Sequence, residues 1–138
     1  MTPTTSPLAG HIHALLAERG YEVTEPASDR LRIRDVDSGV SLQAVIEGEI
    51  VFFSLACVTV AREKLTPQVM TQLLDANNGI STSSFRLYDT GAGKVTVSLN
   101  NFCKMQSLGP DDEDDVLSCV HFLLVDVMSA RRLIGGLA

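Results

Sequence analysis

Over residues 30–46 apolar and polar side chains alternate. Leu31 and Ile33 stand between Arg30, Arg32 and Arg34, and Val40, Leu42, Ala44 and Ile46 resume the pattern after a turn-forming Asp-Val-Asp-Ser-Gly at 35–39. A period of two sends successive side chains to opposite faces of a strand. A chain with this pattern must put one face against a core and the other in water, which is the mark of an antiparallel sheet covered on one side. Glu47-Gly48-Glu49 predicts a tight reversal into a further strand over residues 50–61. A second strand pair is expected later. Phe85 and Leu87 alternate with Arg86 and Tyr88, and Val95, Val97 and Leu99 alternate with Thr96, Ser98 and Asn100, with a Gly-rich hairpin loop at 89–93 between them. Residues 21–24 leave room for one more short strand, ahead of a turn at 26–29.

Three segments carry helical spacing instead. Ser6 as N-cap and Pro7 at the first position open the first, which buries Leu8, Ile12, Leu15 and Leu16 and stops at Gly20. Thr66 and Pro67 open the second, whose expected buried stripe is Val69, Met70, Leu73 and Leu74, with Asn77-Asn78-Gly79 as its end. Pro110 opens the third, which is the longest, and Gly135-Gly136 closes it. Its core stripe is Val116, Val120, Leu123, Leu124, Val127, Met128 and Ile134. The fold class that follows is α+β, an antiparallel sheet in the order α-β-β-β-α-β-β-α with room for a fourth strand in the first run, because hairpins and not βαβ crossovers join the strands.

A chain of 138 residues fits one domain spanning 1–138, with residues 1–5 polar and frayed. Hydrophobic residues make up 45% and charged residues 20%, a globular balance. The net charge of −6 argues against nucleic acid and against anionic membrane surfaces, both of which need a surplus of Lys and Arg. The nearly apolar stretch at 50–61 is too short to span a bilayer. Residues 1–9 hold no basic residue and no long apolar run, so no secretory signal is expected and the cytoplasm is the expected location. Cys57, Cys103 and Cys119 are odd in number and widely spaced, and read as reduced thiols.

The residue types that carry chemistry are sparse. His11 and His13 are two apart and on a helix point about 200° apart, so they cannot share a metal, and His121 stands alone. The acidic run at 111–115 leads straight into an apolar helical pattern, which suits the positive end of a helix dipole better than a calcium loop. Cys103 is a candidate nucleophile, but only Lys104 is near it in sequence, and a structural thiol is the plainer reading. Gly91-Ala92-Gly93-Lys94 lacks the spacing of a phosphate loop and runs into a strand, not a helix. The expectation is a protein with no catalytic residues, no metal and no cofactor.

Apolar residues in excess of one core are more informative. On the strand at 50–61, Val51, Phe53 and Leu55 oppose Phe52, and on the last helix Phe122, Val125 and Leu133 lie off the core stripe. One or the other of these two surfaces is the expected interface of a homodimer that also binds another polypeptide as client or target; the alternatives are burial under other helices of the same domain, and a regulatory module without a client or a small-molecule-binding domain.

The element order resembles the type III secretion chaperone-like fold, and within it the YbjN-like group of small bacterial proteins. The residues that carry the resemblance are Leu73-Leu74-Asp75-Ala76-Asn77-Asn78 closing the middle helix, Phe85-Arg86-Leu87 and Val95-Thr96-Val97-Ser98-Leu99 in the hairpin, and the long final helix. It covers residues 8–134. It implies a sheet packed by helices, commonly dimeric, that holds an extended peptide or keeps another protein soluble. Residues 100–106, Asn-Asn-Phe-Cys-Lys-Met-Gln, fit no element of that pattern.

Overall fold

The computed structural model describes residues 7–80, 82–106, 109–135 and 137. The frayed start at 1–5, the Ser6 cap and the Gly136 half of the final stop lie outside the described residues. The elements are α1 (Pro7–Glu18), β1 (Glu22–Ala27), β2 (Arg30–Arg34), β3 (Ser41–Glu47), β4 (Ile50–Ala61), α2 (Pro67–Leu74), β5 (Ser84–Gly91), β6 (Lys94–Lys104) and α3 (Pro110–Ile134). A short 3-10 turn, Arg62–Lys64, precedes α2. The strands form one six-stranded sheet in the order β1-β2-β3-β4-β6-β5. The fold is α+β, and the room left for a fourth strand in the first run is filled by β1.

The chain divides into two compact units. One holds the chain up to Ser54 with Phe102–His121, and the other holds Leu55–Asn101 with the chain from Phe122 on.

In the first unit the period-two reading holds residue by residue. Leu31, Ile33, Leu42, Ala44, Ile46, Val51 and Phe53 are buried. Arg30, Arg32, Arg34 and Gln43 on the other face are exposed. The register pairs Leu31 with Ala44 and Ala44 with Phe53, so the buried side chains line up across β2, β3 and β4. Ile12, Leu15 and Leu16 of the α1 stripe are buried as expected, and Ala9 takes the buried place expected of Leu8, which is only half-buried. Gly20 ends that helix at φ +94°, a conformation that L side chains rarely adopt. β1 runs on to Ala27, through the expected turn at 26–29, with its register broken between Thr24 and Ala27. Pro26 falls in that break on an edge strand, where a missing N–H is tolerated. Between β3 and β4, Glu47 stands opposite Ile50 and Gly48 takes φ +62° while Glu49 does not, which is the type II′ arrangement.

β6 continues through the segment that fits no sequence pattern. Cys103 and Met105 extend the buried line of Val95, Val97 and Leu99, and the Met105 N–H donates to Glu49 O at 2.7 Å.

In the second unit the core gathers Leu73, Val97 and Ile134, with Cys57, Val58, Leu65, Val69, Phe85, Leu133 and Leu137 packed against them. Here β4 departs from simple alternation. Buried positions are odd-numbered at Val51, Phe53 and Leu55, yet Val60 is the next buried one. Pairing with β6 shows the cause. Arg62 N donates to Gly93 O and Thr59 meets Thr96, whereas Glu49 meets Met105. Between these anchors β4 uses one residue more than β6, so it carries a β-bulge. Cys57 and Val58 both pack against the same core cluster, as the two residues of a bulge do. Val58 and Val60, which simple alternation would place on the face of Phe52, are thereby turned towards the helix side.

α2 is shorter than the sequence suggests. Thr66 caps it as expected, accepting from Val69 N at 3.3 Å. It ends at Leu74, not at Asn77, where Asp75 takes an extended conformation and Asn78 Nδ2 donates to Leu73 O at 2.7 Å. That early end leaves Leu74, expected in the buried stripe, 77% exposed. On β5 the expected alternation fails too: Leu87 and Tyr88 are both exposed, because β5 is the sheet's last strand.

Candidate interaction surfaces

The expected interface residues divide sharply. Val51, Phe53 and Leu55 are 0%, 0% and 1% exposed within the single chain and belong to its core. Leu133 packs against the Leu73–Val97–Ile134 cluster. Phe122 and Val125 are 38% and 50% exposed, and Met128, expected in the core stripe, joins them at 56%. The buried line of α3 in the second unit is Leu123, Val127, Ala130 and Ile134, at alternating steps of four and three. Met128 sits about 100° round the helix from Val127 and so falls outside it. Phe122, Val125 and Met128 follow one another three residues apart, which stacks them along one side of the helix.

α3 is also anchored in polar fashion. Asp126 is buried, and Ser83 Oγ donates to its Oδ2 at 2.7 Å. At the start of the helix Asp111 and Asp114 are exposed, as a capping role suggests. Asp112 is buried and accepts from Gln106 N at 2.9 Å, so it ties the preceding loop down and does more than complement the dipole. His11 and His13 turn to different carboxylates, Glu113 and Glu25, each at 3.3 Å.

The first unit presents another surface, on the sheet face away from the buried residues. Arg30 stands opposite Val45, and Val45 opposite Phe52. The Phe52 ring lies 6.1 Å from that of Phe102 at 40°. Phe102 is 64% exposed. One row thus crosses β2, β3, β4 and β6 as Arg-Val-Phe-Phe. Arg32 stands opposite Gln43 in the next row, and Arg34 opposite Ser41, with its Nη1 3.0 Å from Glu22 Oε2. Sequence reasoning missed Phe102, which lay in the unassigned segment. The signal available was the odd-numbered apolar line from Val95 to Met105, which puts Phe102 on the face opposite to it.

Of the thiols, Cys103 is buried and hydrogen-bonds to Cys119. Donating that bond raises the Cys103 pKa, with burial adding to it. The same bond lowers the Cys119 pKa, against the opposing effects of burial and Asp115. Burial raises that of Cys57. Among the described residues no three His, Cys, Asp or Glu gather as a metal site, and no helix is long and apolar enough to cross a membrane.

No family model matches the sequence, and no curated protein matches it. Its structure is similar to the crystal structure of YbjN from E. coli, a protein put forward as a transcription regulator. The TM-score is 0.65 at 13% identity over 95% of both chains. The chain therefore has a YbjN-like fold.

Proposed function

We propose that this chain is a non-enzymatic polypeptide-binding module that works as a homodimer, in the manner of a chaperone or adaptor. The observation that carries the reading is the line Phe122, Val125 and Met128, three large apolar side chains 38%, 50% and 56% exposed along one side of α3. A twofold axis lets one such line cover its own copy, so a single patch removes apolar surface from both partners. β5, an exposed last strand of eight residues, offers unpaired backbone for strand addition. Cys103, the candidate nucleophile, is a buried thiol whose pKa is raised, the opposite of what nucleophilic work requires. YbjN is put forward as a transcription regulator. With a net charge of −6, a regulatory role of this chain would run through protein contacts and not through DNA phosphates.

Light scattering on Val125→Glu and Met128→Glu tests the dimer. Wild type is expected at twice the 14.9 kDa chain mass and both variants at one chain mass while still folded. A Leu74→Glu control is expected to stay dimeric. Wild type at one chain mass at micromolar concentration would overturn the dimer.

A further inference from the structure

We infer that the open sheet face of the first unit is a docking site for an acidic, extended polypeptide segment that carries an apolar side chain close to its carboxylates. This rests on the polypeptide-binding reading and names the partner's chemistry.

Charge distribution points to it. The chain is acidic overall, with eleven Lys and Arg against seventeen Asp and Glu, yet three of its arginines stand in file on one face of β2. Strand geometry spaces Arg30, Arg32 and Arg34 by roughly 6.7 Å, close enough to repel. Arg34 is answered by Glu22. Arg30 and Arg32 are exposed and take no ion pair among the described residues. The face also holds Lys104 beyond Phe102, and its other carboxylate, Glu47, stands opposite Ile50 on the far side of Val45.

The geometry fits a peptide. In an extended chain, side chains two residues apart share a face at the same spacing of about 6.7 Å, so carboxylates at alternate positions match Arg30 and Arg32. A guanidinium fork grips a carboxylate with two parallel hydrogen bonds. The row runs at right angles to the file of arginines, so beyond its carboxylates the peptide turns across the sheet, and about four residues of extended chain cover the three strand spacings, roughly 14 Å, from β2 to β6. An apolar or aromatic side chain placed there meets the Val45, Phe52 and Phe102 end of the row. A nucleic acid strand would also set anions against aromatics. It would need a longer run of cations than two free arginines, and it would meet the repulsion of the whole acidic chain.

The experiment uses the full chain and fluorescein-labelled twelve-residue peptides read by anisotropy. One peptide carries Asp at two alternate positions and Phe four residues on, a second has Ser in place of Asp, and a third has Lys. A twelve-residue oligothymidine completes the set. The Asp peptide is expected to bind at least tenfold tighter than the Ser peptide, to weaken with salt, and to lose at least tenfold in Arg30→Gln/Arg32→Gln. Phe102→Ser is expected to weaken all peptides several-fold. All three positions are exposed, and a thermal melt checks that the variants fold. Peptides that bind without regard to charge, or an unchanged affinity in the arginine double variant, would overturn this inference while leaving the polypeptide-binding reading standing. No binding by any peptide would overturn both, and tighter binding of the oligothymidine would replace the partner class.

Discussion

The two units expose aromatic side chains in different company. In the first, Phe102 and its neighbour Phe52 share a sheet face with a file of arginines. In the second, Phe122 shares its side of α3 with Val125 and Met128. A mixed basic and apolar surface suits a partner of opposite charge, since charge complementarity selects a foreign chain and repels a second copy of the same face. The α3 line has Arg132 and His121 beside it but no file of like charges, so it carries less such repulsion and can meet itself. Exposure of a phenylalanine alone therefore says little about its partner, and the charges beside it decide.

The largest expected effect separates surface from core. Phe53→Ala empties a fully buried site and is expected to cost about 3–5 kcal/mol in denaturant unfolding, whereas Phe102→Ala is expected to stay within about 0.5 kcal/mol of wild type. Similar costs for the two would mean that Phe102 is not on an open face.

Single deletions sharpen the contrast between regular and bulged strand. Removing Val45 from β3 turns Ile46 out of the core face and is expected to abolish folding. Removing Cys57 takes out one of the two bulge residues and leaves Val58 and Val60 facing the helices. The protein is expected to fold with a loss of at most about 2–3 kcal/mol, the scale of one trimmed core side chain. Circular dichroism and urea unfolding read both. Equal collapse of the two would contradict the bulge.

These strands also show how far the sequence was legible. Alternation over β2 and β3 predicts every buried residue there, because nothing interrupts the period. In β4 an unmarked extra residue changes the phase, and no residue type announces it, so Val58 and Val60 read as a second apolar face. In α2, Asn77 and Asn78 look like the helix stop, but Asp75 and the Asn78–Leu73 bond end it earlier and expose Leu74. Helical spacing places Phe122 and Val125 off the core stripe, and both are exposed. Val51, Phe53 and Leu55 were misplaced because the excess of apolar residues on β4 was counted as surface. Phe102 was hidden because Asn100 and Asn101 break the look of a strand that in fact continues to Lys104.

A smaller effect concerns the thiol pair of the first unit. The hydrogen bond from Cys103 favours the Cys119 thiolate, so Cys119 is expected to titrate below an ordinary cysteine. Alkylation of Cys119 followed against pH should show a low midpoint in wild type. In Cys103→Ala the midpoint should rise, because the donor that favours the charged form is gone, and the rate at fixed neutral pH should fall. An unchanged profile would contradict the pairing.

The smallest lies in the β5–β6 hairpin. Gly91 pairs with Lys94, and the two loop residues Ala92 and Gly93 both take positive φ, a type I′ turn with an alanine where glycine or asparagine is at ease. Ala92→Gly is expected to raise stability by about 0.5–1 kcal/mol by relieving the left-handed alanine. A loss of stability would show that the loop holds no such strain.

The contrast between the two exposed phenylalanines can be read directly by fluorine NMR, with 4-fluorophenylalanine placed at Phe122 in one sample and at Phe102 in another. A soluble paramagnetic agent reports access to each ring over a dilution series from millimolar to micromolar. The expected result is a Phe122 ring shielded down to micromolar concentration in wild type and accessible in Met128→Glu, beside a Phe102 ring accessible throughout and shielded only when the acidic peptide is added. A Phe122 ring equally accessible in wild type and in Met128→Glu would contradict self-association through α3.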